Sequence, residues 1–157
     1  MPIKRSEAMQ PLSRQHHNAL LFCLLLKKGI AKKADNSVMK DFCISFWEND
    51  LMHHFQLEED LLFTLGNTYP VLQSGLIQMK DEHTALQQYM NQIKIHVTYA
   101  ILTEYVNLLE KHVRFEERIL FPHIENTINS NILQQIGKAL VQEEEHNCLQ
   151  YPIHFWE

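Results

Sequence analysis

The chain is poor in residues that break regular structure. It carries four glycines and five prolines in 157 residues, against usual shares of about 7% and 5%. That scarcity excludes a sandwich or barrel of many short strands, each needing its turn, and equally a Gly/Pro-rich linker. Cysteines are few and odd in number: Cys23, Cys43 and Cys148, with no CxxC spacing. The sequence therefore encodes neither a disulfide framework nor a paired-cysteine zinc site, and reduced thiols in a cytoplasmic protein are expected. Long apolar runs are missing. The longest, Ala19 to Leu26, stops at Lys27-Lys28, far short of the roughly 20 residues that span a bilayer. The opening MPIKRSEAMQ leads into polar residues rather than a signal-peptide core. An excess of positive charge is lacking too. With 14 basic and 19 acidic residues the net charge is -5, which offers little to nucleic acid. What the chain does have is ten histidines and helical periodicity along most of its length.

A first helix is predicted from about Ser13, an N-cap after Pro11, to about Lys33. The polar link Ala34 to Ser37 leads to a second helix ending near Leu65, with Trp47, Leu51, Phe55, Leu61, Leu62 and Leu65 on its apolar stripe. Gly66-Asn67-Thr68-Tyr69-Pro70 breaks it. The third helix carries Leu76, Met79, Leu86, Met90, Ile93 and Val97 inward. The fourth runs from about Thr98 to Phe121, with Ile101, Tyr105, Leu108, Leu109, Phe115 and Ile119 inward, and Pro122 ends or kinks it. A shorter helix, about Asn131 to Asn147, precedes an aromatic tail from Tyr151 to Glu157. The predicted fold is all-α: an antiparallel up-down four-helix bundle with a short C-terminal helix. One domain is expected over residues 1–157, with a bundle core of about 12–126 and the C-terminal helix and tail over 131–157.

A short repeat stands out. His54-Phe-Gln-Leu-Glu58-Glu-Asp-Leu-Leu-Phe63 and His112-Val-Arg-Phe-Glu116-Glu-Arg-Ile-Leu-Phe121 agree at five of ten positions. Each copy holds a histidine and a glutamate four residues apart, which leave a helix on one face, one turn apart. In both copies that face is the apolar one, where a histidine and a carboxylate are costly unless paired or bound to a cation. The preceding helix in each half adds an inward histidine. On the third helix it is His83, between Met79 and Leu86. On the first, His16 and His17 compete. A helical wheel centred on the inner face, at about 20–40°, puts His16 at about 40° and His17 at about 140°. His17-Asn-Ala-Leu, however, is similar to His83-Thr-Ala-Leu. His16 is favoured, with His17 the alternative if the register differs.

The pattern H…HxxxE…H…HxxxE thus offers six ligands from four helices: His16, His54, Glu58, His83, His112 and Glu116. That set suits a dinuclear metal site, with His16 and His54 on one ion, His83 and His112 on the other, and both glutamates bridging. Imidazole and carboxylate fit iron, manganese or zinc without selecting among them by affinity.

On these motifs the sequence resembles the hemerythrin and hemerythrin-like (HHE cation-binding) family of bacterial single-domain type. The likeness runs from Pro11-Leu-Ser-Arg-Gln-His16-His17 through Leu120-Phe121-Pro122, and Phe155-Trp156 is similar to the close of bacterial members. The resemblance implies a four-helix bundle with two iron ions in a non-haem di-iron centre, held by the six residues named, with zinc or manganese as other possibilities. It implies a protein that binds O2 or a related small diatomic for sensing, storage or iron handling, as a monomer or homodimer without nucleic-acid or membrane partners. The alternative is a di-iron enzyme, an oxidase, a peroxidase or a nitric-oxide-handling reductase. Two departures bear on that choice. Oxygen-carrying hemerythrins have a second histidine four residues after the third-helix one, where this chain has Gln87. They also place an aspartate five residues after the last histidine, whereas Glu116 follows His112 by four. A more symmetric and more open site is expected.

Other polar residues are given plainer roles. Glu59 and Glu117 are read as solvated or backing the ligands, His53 as backing or surface, and His123 as surface. His96, His146 and His154 are incidental, and Glu143-Glu144-Glu145 is a solvated face. Tyr89, Tyr99 and Tyr105 are assigned to packing ahead of a hydrogen bond or redox role at the metals. Phe155 and Trp156 cap the bundle, a dimer contact being the alternative.

Overall fold

The structure, a computed structural model, describes residues 4–143 and 146–157. It is helical, with no strand among the described residues. Four long helices form the bundle. They are α1 (Gln10–Ala31), α2 (36–63), α3 (Gln73–Ile95) and α4 (99–127), and a short α5 (Ser130–Leu140) comes after them. Each bundle helix touches two neighbours, α1 against α4 and α2, and α3 against α2 and α4.

The first helix begins three residues before the predicted start. Pro11 occupies its first turn, where a missing N–H costs nothing, so Ser13 lies inside the helix and is buried. At the other end Lys33 takes a left-handed conformation, φ 55°. Its N–H bonds Ile30 O at 3.0 Å and Ala34 N–H bonds Gly29 O at 2.9 Å, the Schellman arrangement that satisfies a helix's last carbonyls. Asp35 then caps α2, accepting from Ser37 N at 2.8 Å and Val38 N at 3.2 Å.

Neither α2 nor α4 is a plain α-helix. In α2, π-helical turns at Trp47–Leu51 and Glu59–Phe63 flank Met52–Glu58. In α4 a π turn at Glu116–Leu120 joins Tyr99–Phe115 to Phe121–Thr127. Each HxxxE pair therefore lies where a regular segment gives way to a widened turn, which begins just after Glu58 in α2 and at Glu116 itself in α4; such turns are rare and gather at functional sites.

The extra residue rotates the remainder of α4. Leu120 and Phe121 point inward and Ile119 is 62% exposed, contrary to the expected stripe. Upstream, Leu102, Val106 and Val113 are buried, while Ile101 and Leu108 lie half-buried on the flank. Nor does Pro122 end the helix, which runs on to Thr127. Along a π turn the donor for Glu117 O would be residue 122, which has no N–H; Arg5 Nη2 donates there instead, at 2.6 Å.

The last helix is shorter than predicted, ending at Leu140. Acidic side chains oppose the negative end of a helix dipole, and Glu143 lies close behind. Glu143 is not simply solvated, since both its oxygens meet His53 Nε2 at 2.9 Å; Glu144 and Glu145 lie outside the described residues. The tail folds back onto the bundle. Phe42 meets Tyr151 at 4.9 Å, Phe155 at 5.0 Å and Trp156 at 5.7 Å between ring centroids. Gly29 permits this, because a Cβ there would come within 2.4 Å of Phe155.

The core falls into two apolar clusters. The first includes Phe22, Phe42, Leu86, Met90 and Leu109, the second Leu12, Leu62, Met79, Leu120 and Phe121. Between them, along every bundle helix, lies one polar layer.

Candidate metal centre

That layer consists of His16, His54, Glu58, His83, His112 and Glu116, none more than 5% exposed. On α1 the histidine falls between Leu12 of one cluster and Ala19 of the other, and on α3 between Met79 and Leu86. The sequence period carries each ligand candidate to the same depth. His17, the alternative on α1, is exposed.

Donor atoms converge in two overlapping groups. One atom from each of His16, His54, Glu58 and Glu116 lies within 4.8 Å of the others, and the same holds for Glu58, His83, His112 and Glu116. The two glutamates belong to both. Glu58 turns Oε2 toward His54 Nε2 at 3.3 Å and His16 Nε2 at 3.6 Å, and Oε1 toward His83 Nε2 at 3.1 Å. Glu116 Oε1 is 3.0 Å from His16 Nε2 and 3.2 Å from His112 Nε2.

All four imidazoles direct Nε2 inward and Nδ1 outward. His16 Nδ1 meets Glu117 Oε2 at 3.1 Å, and His54 Nδ1 meets Gln15 Oε1 at 2.6 Å. His83 Nδ1 meets Glu59 Oε2 at 3.0 Å, and His112 Nδ1 meets Glu82 Oε1 at 2.8 Å. A carboxylate or carbonyl oxygen only accepts, so Nδ1 is the donor in each pair. In a neutral ring this leaves a lone pair on each Nε2. His16 and His54 bring these nitrogens within 3.0 Å of each other, a contact two lone pairs cannot share without a cation between them.

The inner atoms lack ordinary partners as well. Glu58 Oε2, both oxygens of Glu116 and His112 Nε2 are buried with no hydrogen bond among the described residues. They are close to the nitrogens named but misaligned for hydrogen bonds, as atoms directed at shared points between them would be. Buried polar groups of this kind require an explanation, and a pair of divalent ions supplies one. The residues fit such a group in number, type and direction.

Where protons are the only cations, they balance the carboxylates. Burial opposes charge on His16, but the carboxylates of Glu116, Glu117 and Glu58 close around it outweigh that and hold the ring protonated well above the usual histidine range. His112 is likewise opposed by burial yet lifted to about 10, chiefly by Glu116 and Glu82. Burial favours the neutral form of Glu58, but the His54, His16 and His83 rings gathered against its carboxylate hold it well below the usual carboxylate value.

The Hemerythrin HHE cation binding domain model matches residues 9–124, most of the chain and all six residues of the layer. The chain belongs to the hemerythrin HHE cation-binding family. No curated protein and no solved structure matches it.

The hemerythrin bundle has a pseudo-repeat that sequence comparison catches only in part. In the second half Glu82-His83 precedes His112…Glu116-Glu117, and in the first Gln15-His16 precedes His54…Glu58-Glu59. The residue before each lone histidine backs the histidine of the next helix, and the residue after each inner glutamate backs the lone histidine. Gln15 and Glu82 escaped the sequence reading; the signal was the acceptor immediately before both His16 and His83. The same register argues for His16, whereas the likeness of His17-Asn-Ala-Leu to the third helix pointed one residue too far.

Openings lie beside both histidine pairs. A cavity of about 280 Å³ is lined by His16, His54, Gln15, Asp50, His53 and His146. Across the bundle a shallower one of about 260 Å³ is lined by His83, Phe55, Glu59 and Gln87, with Phe55 stacked on His83 at 3.9 Å. Gln87 turns its amide along α3 to Asn91, at 3.1 Å. His123 is on the surface, and Tyr99 donates to Lys33 O and Ala34 O at the α1–α2 turn. Tyr105 is buried in the first cluster beside Phe22.

Proposed function

We propose that the protein holds a dinuclear non-haem iron centre and binds O2 or a related small diatomic, for sensing, storage or iron handling. His16 and His54 would hold one ion, His83 and His112 the other, with Glu58 and Glu116 shared. The carrying observation is the orientation of the four imidazoles, Nδ1–H anchored outward and Nε2 inward, around carboxylate oxygens that lack other partners. Bound iron supplies the electrons that a diatomic ligand accepts. This chain's residues fix the rings, offset the ions' charge with two carboxylates and shield the layer with apolar clusters on both sides. Family membership supports cation binding, and the absence of a helix long and apolar enough to cross a membrane, among the described residues, accords with a soluble setting. Three buried free thiols support placing it in the cytoplasm. Iron analysis of protein reconstituted with ferrous salt tests the assignment. Two equivalents per chain are expected, with His54→Ala and His112→Ala each losing iron; unchanged stoichiometry in both variants would overturn it.

A second reading, a di-iron enzyme, draws on the 280 Å³ cavity against His16 and His54, which carries Gln15, Asp50 and His53 in an otherwise largely apolar wall and has room for more than a diatomic molecule. Turnover of peroxide or nitric oxide by the iron-loaded protein would favour it.

A further inference from the structure

We propose that Arg5, which lies outside the bundle helices, is a positioning residue for the His16 side of the centre. Its role is to hold Glu117 so that His16 keeps Nδ1–H outward and Nε2 inward. The inference rests on the metal-centre reading above.

The Arg5 side chain is 7% exposed, unusual for a guanidinium, which is seldom buried unless paired. Its contacts account for the burial. Nε donates to Ser13 Oγ at 3.1 Å, Nη2 to the Glu117 carbonyl at 2.6 Å and Nη1 to Glu125. Nη2 also lies 3.7 Å from Glu117 Oε2. Ser13 passes the link on, donating from Oγ to Glu117 Oε2 at 2.8 Å, the same oxygen that accepts from His16 Nδ1 at 3.1 Å. A second route runs through an aromatic ring. The guanidinium sits 5.4 Å from the Phe121 centroid, and Phe121 stacks on His16 at 5.3 Å with 12° between planes.

The π turn makes the arrangement possible. It brings Phe121 inward and, with Pro122, leaves the Glu117 carbonyl for an outside donor. Arg5 thus engages Ser13, Glu117 and Glu125 at once through three nitrogens, fixing the Glu117 backbone directly and its carboxylate through Ser13, as the planar fork of arginine does and a lysine ammonium does not. In the first repeat the matching acceptor, Glu59, meets His83 Nδ1 at 3.0 Å but neither an arginine nor a serine among the described residues. The two histidine pairs are therefore supported unequally, and loss of Arg5 falls on one of them.

Stepwise Zn(II) binding to the full chain, measured by competition with a chromophoric chelator, tests this. Wild type is expected to bind two equivalents. Arg5→Gln weakens one of them by roughly tenfold, the low end for groups behind a ligand, and leaves the other unchanged. Arg5→Lys does not restore it, and Arg5→Gln with Glu117→Gln together are no weaker than Glu117→Gln alone. Ser13→Ala, which keeps the guanidinium and its backbone contact, weakens the same equivalent should Arg5→Gln fold poorly. Melting of the metal-free variants separates positioning from folding. Two equivalents as tight as wild type in Arg5→Gln and Ser13→Ala, or equal weakening of both, would overturn the assignment of Arg5. A wild type that binds no zinc and no iron would overturn the metal-centre reading itself.

Discussion

Removing metal from the protein should lower its thermal stability by an amount the polar layer allows one to work out. Four buried atoms, Glu58 Oε2, Glu116 Oε1 and Oε2 and His112 Nε2, have no hydrogen bond among the described residues. An unsatisfied buried group costs about 1–3 kcal/mol, so together they represent about 4–12 kcal/mol, comparable with the whole stability of a domain, about 5–15 kcal/mol. Protons on His16 and His112 relieve part of this but not the misaligned oxygens. An ion at 100 times its Kd adds about 2.7 kcal/mol, and in a chain of this size each kcal/mol moves Tm by about 2–4 °C. Circular-dichroism melts of chelator-treated protein with and without Zn(II) should therefore differ by at least about 5–11 °C per such increment. Zinc suits the assay because it has no redox chemistry of its own. A Tm that stays within a degree or so while metal analysis shows bound zinc would mean that the orphaned atoms are not the ion's partners.

Metal affinity should also depend on pH. Folded His16 and His112, the latter at about 10, hold protons above the ordinary histidine value of 6.5. Their stabilisation of the metal-free fold is full below pH 6.5 and lost as pH rises through about 10. An incoming ion must displace those protons, so apparent affinity rises with pH in that window, by up to about tenfold per unit for each proton. Calorimetry in buffers of different ionisation enthalpy counts the release, and none would refute the sign. Glu82→Gln, which removes the charge behind His112, should weaken one metal equivalent by about 10–100-fold, whereas Gln15→Glu should tighten the other; chelator competition reads both. Gly29→Ala drives a methyl into Phe155 and should cost about 1–3 kcal/mol in denaturant melts, less when combined with Phe155→Ala.

The periodicity of apolar residues and the shortage of turn residues made the bundle legible, and the doubled HxxxE made its polar layer legible, because both rest on the constant advance of an α-helix. Where that advance changes, sequence and structure part. The period puts Ile119 inside and the proline rule puts a helix end or kink at Pro122, but the π turn at Glu116–Leu120 adds a residue that no composition signal marks. Ser13 looks like a cap because it comes after a proline, yet it serves as a relay between Arg5 and Glu117. Gln15, Glu82 and Arg5 act through contacts between helices or with the N-terminal segment, which a pattern along one helix does not contain. Glu59 and Glu117 were visible only as alternatives; the direction of Nδ1 decides between them.

The most direct test of the central claim is optical. The protein is loaded anaerobically with two equivalents of ferrous iron, exposed to O2 and then degassed, with the visible spectrum recorded throughout. The account predicts charge-transfer bands that appear with O2 and fade on degassing. Protein that takes up no iron, or that shows no spectral response to O2, would contradict it.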